Sequence, residues 1–548
     1  MTSPGNTRLT VIAEEKHHTI EPQGREVEEP LTALLRKRGF SLNTRCGENG
    51  LCRGCECILK TGTLSLAGET LRAGEGVSAF RSCQARLLPG EAPEIEIPDR
   101  SLLHHQPDVA SDFKVRVPVG KNPLFPGSRP YAAAVDIGTT TIMVAIVDTR
   151  SGDLLARAGD FNAQIHFGDN VLTRIQACND DPSNIAAQQK AVVEENLLPL
   201  LLKACAEADC PPDELAGLAV AGNTTMLHLL SGVDPAPLGF APFRAAFLGE
   251  RKLRLAELTV SNSPYDPDLP VILLPGISAY VGADIGAGLF ATGTPYQTTP
   301  TLFLDVGTNG ELALFHDRRL WVTATAAGPA FEGSGLRCGT RATRGAIRQI
   351  RLHEDSSAAD WKTIGESARP HGICGTAYLD FLAEGARTGL LTQTGRFDPD
   401  RVRRYPDSFG NDYGEILFYL HRSRASSVFV SEADVALLLQ AKAAIAAGIE
   451  ILLKEAGLRA ADVQQLFLAG GFGLYLNLRS ATGSGLLPGF SPDTIDAVGN
   501  TSLAGAYLAL LDRTLIREIN RFRESATVVE LNLHPEFEDT YIDNLMLE

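Results

Sequence analysis

The chain of 548 residues is 44% apolar and 21% charged, globular values for a length that exceeds one ordinary core, since domains run about 100 to 150 residues and rarely pass about 250. Its 50 Lys and Arg against 66 Asp and Glu leave a net charge of −16; this repels a phosphate backbone and an anionic bilayer alike and sets aside nucleic acid and membrane surfaces as partners. No signal-peptide pattern opens the sequence, and the most apolar helical stretch, ADVALLLQAKAAIAAGIEILLKEAG, is interrupted by Lys442 and Glu450, so a cytoplasmic protein is expected.

Near the N-terminus, RLTVIAEEKHHTIEP reads as a strand pair, PLTALLRKRGF as a short helix and APEIEIPD as a closing strand with strict alternation. Between them, residues 46–57 read CGENGLCRGCEC and hold four of the ten cysteines. In a reducing compartment such a cluster points to a metal site rather than a disulfide framework. The spacing is Cys46-x5-Cys52-x2-Cys55, with Cys83 after a longer gap. Plant-type [2Fe-2S] ferredoxins use C-x4-C-x2-C with a distant fourth cysteine, and the x5 spacing resembles the adrenodoxin-like subclass. Glycines at 47, 50 and 54 would let backbone amides turn toward the cluster sulfides. Cys57 opens the alternating ECILK strand and is expected as a buried, unliganded thiol. A four-thiolate zinc site competes, although zinc sites ordinarily pair two C-x2-C knuckles and only one is present here.

Residues 100–130 are rich in proline and polar side chains and read as a linker. Beyond it two distant stretches repeat one pattern: AAAVDIGTTTIMVAIVD at 132–148 and TLFLDVGTNGELALF at 301–315. Each is an apolar strand ending in Asp, then x-Gly-Thr, then a second strand. The glycine permits a tight turn that brings backbone N–H groups to a phosphate, and the Thr or Asn side chains add donors. This nominates Gly138, Thr139, Thr140 and Thr141 in the first hairpin, and Gly307, Thr308, Asn309, Gly310 and Glu311 in the second. Asp136 and Asp305 fall where a hydrated Mg²⁺ would bridge phosphate oxygens, because hard oxygen ligands and retained waters suit that ion.

Asn223, in AVAGNTTMLHLL, reads as a helix cap. SAYVGADIGAGLF (278–290) and VGNTSLAGAYLALL (498–511) read as helices crossing between two lobes. Asp284, in the first, is the candidate carboxylate for orienting a water or taking its proton, with a helix cap as the competing role. Glu332, in GPAFEGSG, is a second candidate for that task or a structural residue. In QQLFLAGGFG (464–473) an apolar strand runs into Gly470, Gly471 and Gly473, where adenine and ribose would lie against the backbone. Neither a P-loop nor a Rossmann fingerprint is present.

Two phosphate hairpins followed by this adenosine turn resemble the actin-like ATPase superfamily of sugar kinases, acetate kinase, heat-shock ATPases and actin. Joined to the cysteine-bearing segment, they resemble the reductive activators of corrinoid proteins through nearly the whole chain. The resemblance is carried by CGENGLCRGCEC, VDIGTTT, FGDNVLTRI, VAGNTTM, LDVGTNGEL, AAGPAFEGSGLRCG, ICGTAYLDFLAE, QAKAAIAAGIEILLKEAG, LAGGFG and VGNTSLAGA. It implies an α/β protein: a β-grasp ferredoxin domain (1–99), a linker (100–130), and a two-lobed actin-like (RNase H-like) ATPase with lobe I at 131–302 and lobe II, with a C-terminal return, at 303–548. It further implies ATP-dependent, one-electron reduction of Co(II) to Co(I) in a corrinoid methyl-carrier protein, through a [2Fe-2S] cluster on Cys46, Cys52, Cys55 and Cys83. ATP and Mg²⁺, a low-potential electron donor and a homodimer belong to the same implication. Other corrinoid activators bear C-terminal [4Fe-4S] motifs; here Cys178, Cys205, Cys210, Cys338 and Cys374 form no such run, so one cluster is expected. The rival functions are an electron-injecting ATPase for an acyl-CoA dehydratase or reductase, a small-molecule kinase of the sugar-kinase type, and a redox-sensing scaffold.

Overall fold

The computed structural model describes the chain except residues 1–6, 14–15, 41, 43–47, 49–54, 75–77, 99–100, 103–111, 117–121, 260–262, 356, 366–368, 413, 424–426 and 548. It divides into two compact units, Met1–His105 with Ile165–Asp169, and Gln106–Gln164 with Asn170–Glu548.

In the first unit, Leu9–Ala13 buries alternate side chains, as its sequence LTVIA dictates. It pairs antiparallel with Lys16–Ile20 and parallel with Glu94–Glu96. Glu56–Thr61 and Ser78–Arg81 complete a five-stranded sheet on the far side of Glu94–Glu96. Leu31, Leu34 and Leu35 of the helix Leu31–Lys37 share a core with Leu9, Val11, Leu59 and Ile95. A helix laid on a mixed sheet whose central strands run parallel is the β-grasp arrangement expected from the pattern.

The second unit holds two sheets built on one plan. Strands β1 (Tyr131–Ile137), β2 (Thr141–Asp148), β3 (Leu154–Phe161), β4 (Leu215–Gly222), β5 (Arg251–Arg254) and β6 (Pro270–Leu273) lie in the order β3-β2-β1-β4-β6-β5. Strands β7 (Thr301–Val306), β8 (Gly310–His316), β9 (Arg319–Thr325), β10 (Gln465–Ala469), β11 (Ile495–Gly499) and β12 (Thr527–Val528) lie in the order β11-β10-β7-β8-β9-β12. In each, an antiparallel meander is extended by parallel strands added to its first member. Helices cover both faces, so Ala132 to Val135 and Leu302 to Leu304 are continuously buried runs and not alternating ones.

Four helices position the site: α1 (Ala283–Ala291), α2 (Gly375–Thr388), α3 (Glu432–Glu455) and α4 (Thr501–Leu511). Beyond Asp284, helix α1 is apolar all round because it is shared. Ala283, Ala287 and Phe290 enter the core of the first sheet, while Ile285 and Leu289 join Phe303, Val322 and Phe467 of the second. Helix α4 crosses it closely. A Cβ on Gly505 would lie 2.4 Å from the Ala287 carbonyl oxygen, and one on Gly288 would lie 2.6 Å from Thr501 Oγ1. The small residues of ADIGAG and TSLAGA are there for this crossing. Helix α3 is long and apolar enough to span a bilayer, but it is a core helix: Val435, Leu438, Ile445 and Ile449 are buried in the second lobe, and Lys442 Nζ donates to the Met546 carbonyl at 2.7 Å.

The described parts of the expected linker are anchored. Phe113, Val115, Leu124 and Phe125 pack against the first-lobe core. Backbone N–H groups of Arg116 and Leu124 donate to Ala291 and Leu510 carbonyls, both at 2.9 Å. Apolar side chains set among the prolines give this stretch a surface to hold.

Candidate functional site

The two hairpin turns face one cavity of about 640 Å³ in the second unit, within the range of small-molecule sites. In the first, Gly138 N donates to Thr141 O at 2.9 Å, and a Cβ on Gly138 would stand 2.8 Å from that oxygen. Three side chains hold the turn. Asn162 Nδ2 donates to Gly138 O at 2.9 Å, Asn223 Nδ2 to Thr139 Oγ1 at 2.9 Å, and the buried Arg174 to Thr139 O at 2.6 Å. Asn223 is also the cap expected of it, accepting from Met226 N at 3.0 Å.

The second turn closes one residue sooner. Gly307 N donates to Asn309 O at 2.9 Å, and Val306 pairs with Gly310 where Ile137 pairs with Ile142. Glu311 therefore stands directly across from Asp305, whereas Asp136 faces Met143.

Four half-buried acids converge on this region. Asp136 accepts from Asn500 Nδ2 at 2.8 Å and Ser502 Oγ at 2.7 Å; burial raises its pKa and these two bonds oppose the rise. Asp284 lies in the first turn of α1, and burial, reinforced by Asp136, lifts it to about 7 against the pull of the Ile285 N–H. Burial, then the charges of Asp284 and Asp136, take Asp305 to about 7. Glu311 is pushed well above the carboxylate range by burial and by Asp284 and Asp305. Such a set holds protons at neutral pH or takes a cation. Among the described residues no three His, Cys, Asp or Glu side chains gather as a direct ligand set, so a cation held by these acids would keep some of its waters, as hard divalent ions with oxygen ligands do.

Glu332 sits between the hairpins, accepting from Thr140 at 2.8 Å and from Thr308 at 2.7 Å. Arg341 lies with its guanidinium 4.1 Å from the centre of the Phe161 ring. Gly470 and Gly471 line the cavity with Tyr475, Asn477, Thr376 and Asp380. Gly470 has φ +87°, and a Cβ there would fall 2.5 Å from Asp305 Oδ1. Asp380 accepts from Ser480 Oγ at 2.6 Å and Ile350 N at 3.2 Å, which ties α2 to its neighbours.

Of the nominated residues, Asp136, Gly138, Thr139, Thr140, Thr141, Asp284, Asp305, Gly307, Thr308, Asn309, Glu311, Gly470 and Gly471 line this one cavity. Gly310 and Gly473 do not: their missing side chains make room for Ile445 and Leu468. Asn500, Ser502, Arg341, Asp380 and Asn477 also line it and went unread in the sequence. Asn500-Thr-Ser carried a cap signal, and Asn500 does cap α4, accepting from Leu503 N at 2.8 Å.

In the first unit, Cys55 precedes Glu56–Thr61, and Cys83 lies in the turn after Ser78–Arg81. Because Glu56 pairs with Arg81, both buried cysteines stand at one end of the strand pair. Ser82 N and Oγ fix this end by donating to Cys55 O at 3.1 and 2.8 Å. Two thiols delivered together by paired backbone fit half the ligand set of a [2Fe-2S] cluster; Cys46 and Cys52 lie outside the described residues. Cys57 is buried in the strand with its thiol pKa raised by that burial.

Residues 299–548 match the family described as the C-terminal domain of RACo, the ASKHA domain, and residues 131–296 match the RACo middle region. The corrinoid activation enzyme RamQ of Eubacterium limosum is 31% identical over 470 residues, 82% of this chain and 78% of that protein. The [Co(II) methylated amine-specific corrinoid protein] reductase of Methanosarcina barkeri is 24% identical over 426 residues, 73% of this chain and 74% of that one. A solved reductive activator for corrinoid, iron-sulfur protein superposes with a TM-score of 0.69 at 27% identity, covering 98% of both chains. By these matches, which run through both sheets and their shared cavity, the chain belongs to the family of reductive activators of corrinoid proteins.

Proposed function

We propose that this chain couples ATP hydrolysis in the interlobe cavity to the one-electron reduction of Co(II) to Co(I) in a corrinoid methyl-carrier protein of the cytoplasm. The observation that carries this reading is the facing pair of hairpins with four half-buried acids lining the cavity they share. Six carboxylates line the cavity against the guanidiniums of Arg341 and Arg348, so a triphosphate would enter only with a divalent cation. Asp136 and Asp305 are the residues to hold Mg²⁺, which would neutralise phosphate charge there.

The turn donors of Gly138 to Thr141 and Gly307 to Asn309 would orient the phosphates. Asp284, with a pKa of about 7, is suited to hold or accept the proton of an attacking water at its carboxylate. Gly470 and Gly471 would admit adenosine against the backbone. Cys46, Cys52, Cys55 and Cys83 would hold a [2Fe-2S] cluster, which supplies one-electron transfer from a low-potential donor. Co(I) is the stronger reductant, and for one electron about 59 mV is a factor of ten, or about 1.4 kcal/mol. Closing and opening of the lobes about the α1/α4 crossing would let nucleotide binding favour one grip on the partner over another.

The test is anaerobic: the chain, a low-potential reductant and a Co(II) corrinoid protein are mixed with ATP, and the cobalt spectrum is followed. Co(I) growing in with ATP and not with ADP is expected. Co(I) forming equally without nucleotide, or phosphate appearing on a small-molecule hydroxyl, would sink the proposal.

A further inference from the structure

Glu332 is bonded to both hairpins at once, through a different carboxylate oxygen for each: Oε2 accepts from Thr140 and Oε1 from Thr308. The loop that delivers it is fixed by backbone. Gly328, Gly333 and Gly335 have φ values of 74°, 74° and 81°, a region other residues rarely adopt. Gly333 N donates to Ala330 O at 2.9 Å and Ser334 N to Pro329 O at 3.1 Å. At the start of α2, Gly375 presses on the same loop so closely that a Cβ would stand 1.5 Å from Phe331 O. The backbone beneath Glu332 is thus fixed on the cavity wall, while its carboxylate is placed by the two threonine bonds.

The Thr140 and Thr308 hydroxyls are the same donors that would serve phosphate oxygens. A carboxylate and a phosphoryl group are both anionic acceptors, and like charges competing for one pair of donors repel each other. We infer that Glu332 is an internal competitor of the terminal phosphate. Its bridge sets the spacing of the two hairpins, a nucleoside triphosphate must displace it, and a diphosphate leaves it in place. Glu332 is then a positioning residue that makes the arrangement of the lobes depend on the third phosphate. This rests on the reading of the cavity as an ATP site.

The experiment measures dissociation constants of the full chain, with magnesium, for ADP and for the non-hydrolysable β,γ-imido triphosphate. Glu332→Ala is expected to tighten the triphosphate about tenfold by removing a like charge and to move ADP by less than about twofold. Glu332→Gln keeps the shape, drops the charge and is expected to move the same way; it decides the matter if the alanine variant does not fold. Triphosphate affinity that is unchanged or weaker, or a parallel shift for both nucleotides, overturns the competitor and leaves Glu332 a plain strut. Failure of the unsubstituted chain to bind either nucleotide would instead remove the ATP-site reading on which the inference stands.

Discussion

The first and second hairpins begin with the same Asp-x-Gly-Thr and differ by one residue of loop. Because side chains alternate along a strand, that residue decides what stands opposite the acid: Met143 across from Asp136, Glu311 across from Asp305. Asp136 is clamped by Asn500 and Ser502 from α4. Among the described residues Asp305 accepts no side-chain hydrogen bond, and it has Gly470 drawn up against it. One copy of the motif is a fixed acid tied to the crossing helix; the other keeps its oxygens open to a ligand.

The largest effect should follow removal of the open acid. Asp305→Ala should stop nucleotide-dependent activation, by about 100-fold or more as when an electrostatic stabiliser is deleted, while the visible spectrum of the cluster proposed for the first unit stays unchanged. Retained activation would place the metal elsewhere and erase the contrast between the copies. Gly470→Ala strikes the same hairpin indirectly. A side chain there meets both Asp305 Oδ1 and a φ of +87°, and the left-handed backbone alone costs about 1 to 2 kcal/mol. A thermal midpoint lowered by several degrees and nucleotide binding weakened about tenfold are expected; an unchanged nucleotide constant would mean that the glycine turn serves packing only. Ser502→Ala tests the clamped copy. Loss of one of two donors to Asp136 is worth about 1 kcal/mol, so ATP turnover should fall about fivefold, and a loss as great as that of Asp305→Ala would show the two acids to be equivalent.

The turns themselves were legible because Asp-x-Gly-Thr is local chemistry repeated twice. Their supports were not. Asn500 and Ser502 reach Asp136 across 364 and 366 residues of chain, a contact that no window of sequence contains. Asp380 sits mid-helix in α2, where its spacing says only that the helix has a polar position. Gly310 and Gly473 illustrate the opposite error, since a glycine in a motif reads the same whether a phosphate or the side chain of Ile445 or Leu468 fills the space beside it. In the first unit the strands at Glu56–Thr61 and Glu94–Glu96 showed through alternation, a property of each strand alone, whereas Ser78–Arg81 went unread. The stretch around Phe113 and Leu124 was hidden by its prolines, whose composition masked the few apolar residues that fasten it to the core.

The smallest effect is a slope with pH, and it separates the two copies most finely. Asp284 and Asp305 have pKa values of about 7 in the folded chain, against about 4 when unfolded. Between those values the folded state binds more protons than the unfolded one, so these groups make stability fall as pH rises from about 4 to about 7 and level off above. Thermal midpoints taken in chelator should show this decline, and saturating magnesium should flatten it, because a cation then offsets the charge that the protons had covered. Asp305→Asn should reduce the slope. Asp136→Asn should reduce it less, because Asn500 and Ser502 already stabilise the ionised form of Asp136 and oppose the rise that burial imposes. Equal changes in the two variants would mean that Asp136 acts on the slope as strongly as Asp305, through its own proton or through the charge it presents to Asp284 and Asp305, and would erase the contrast between the copies.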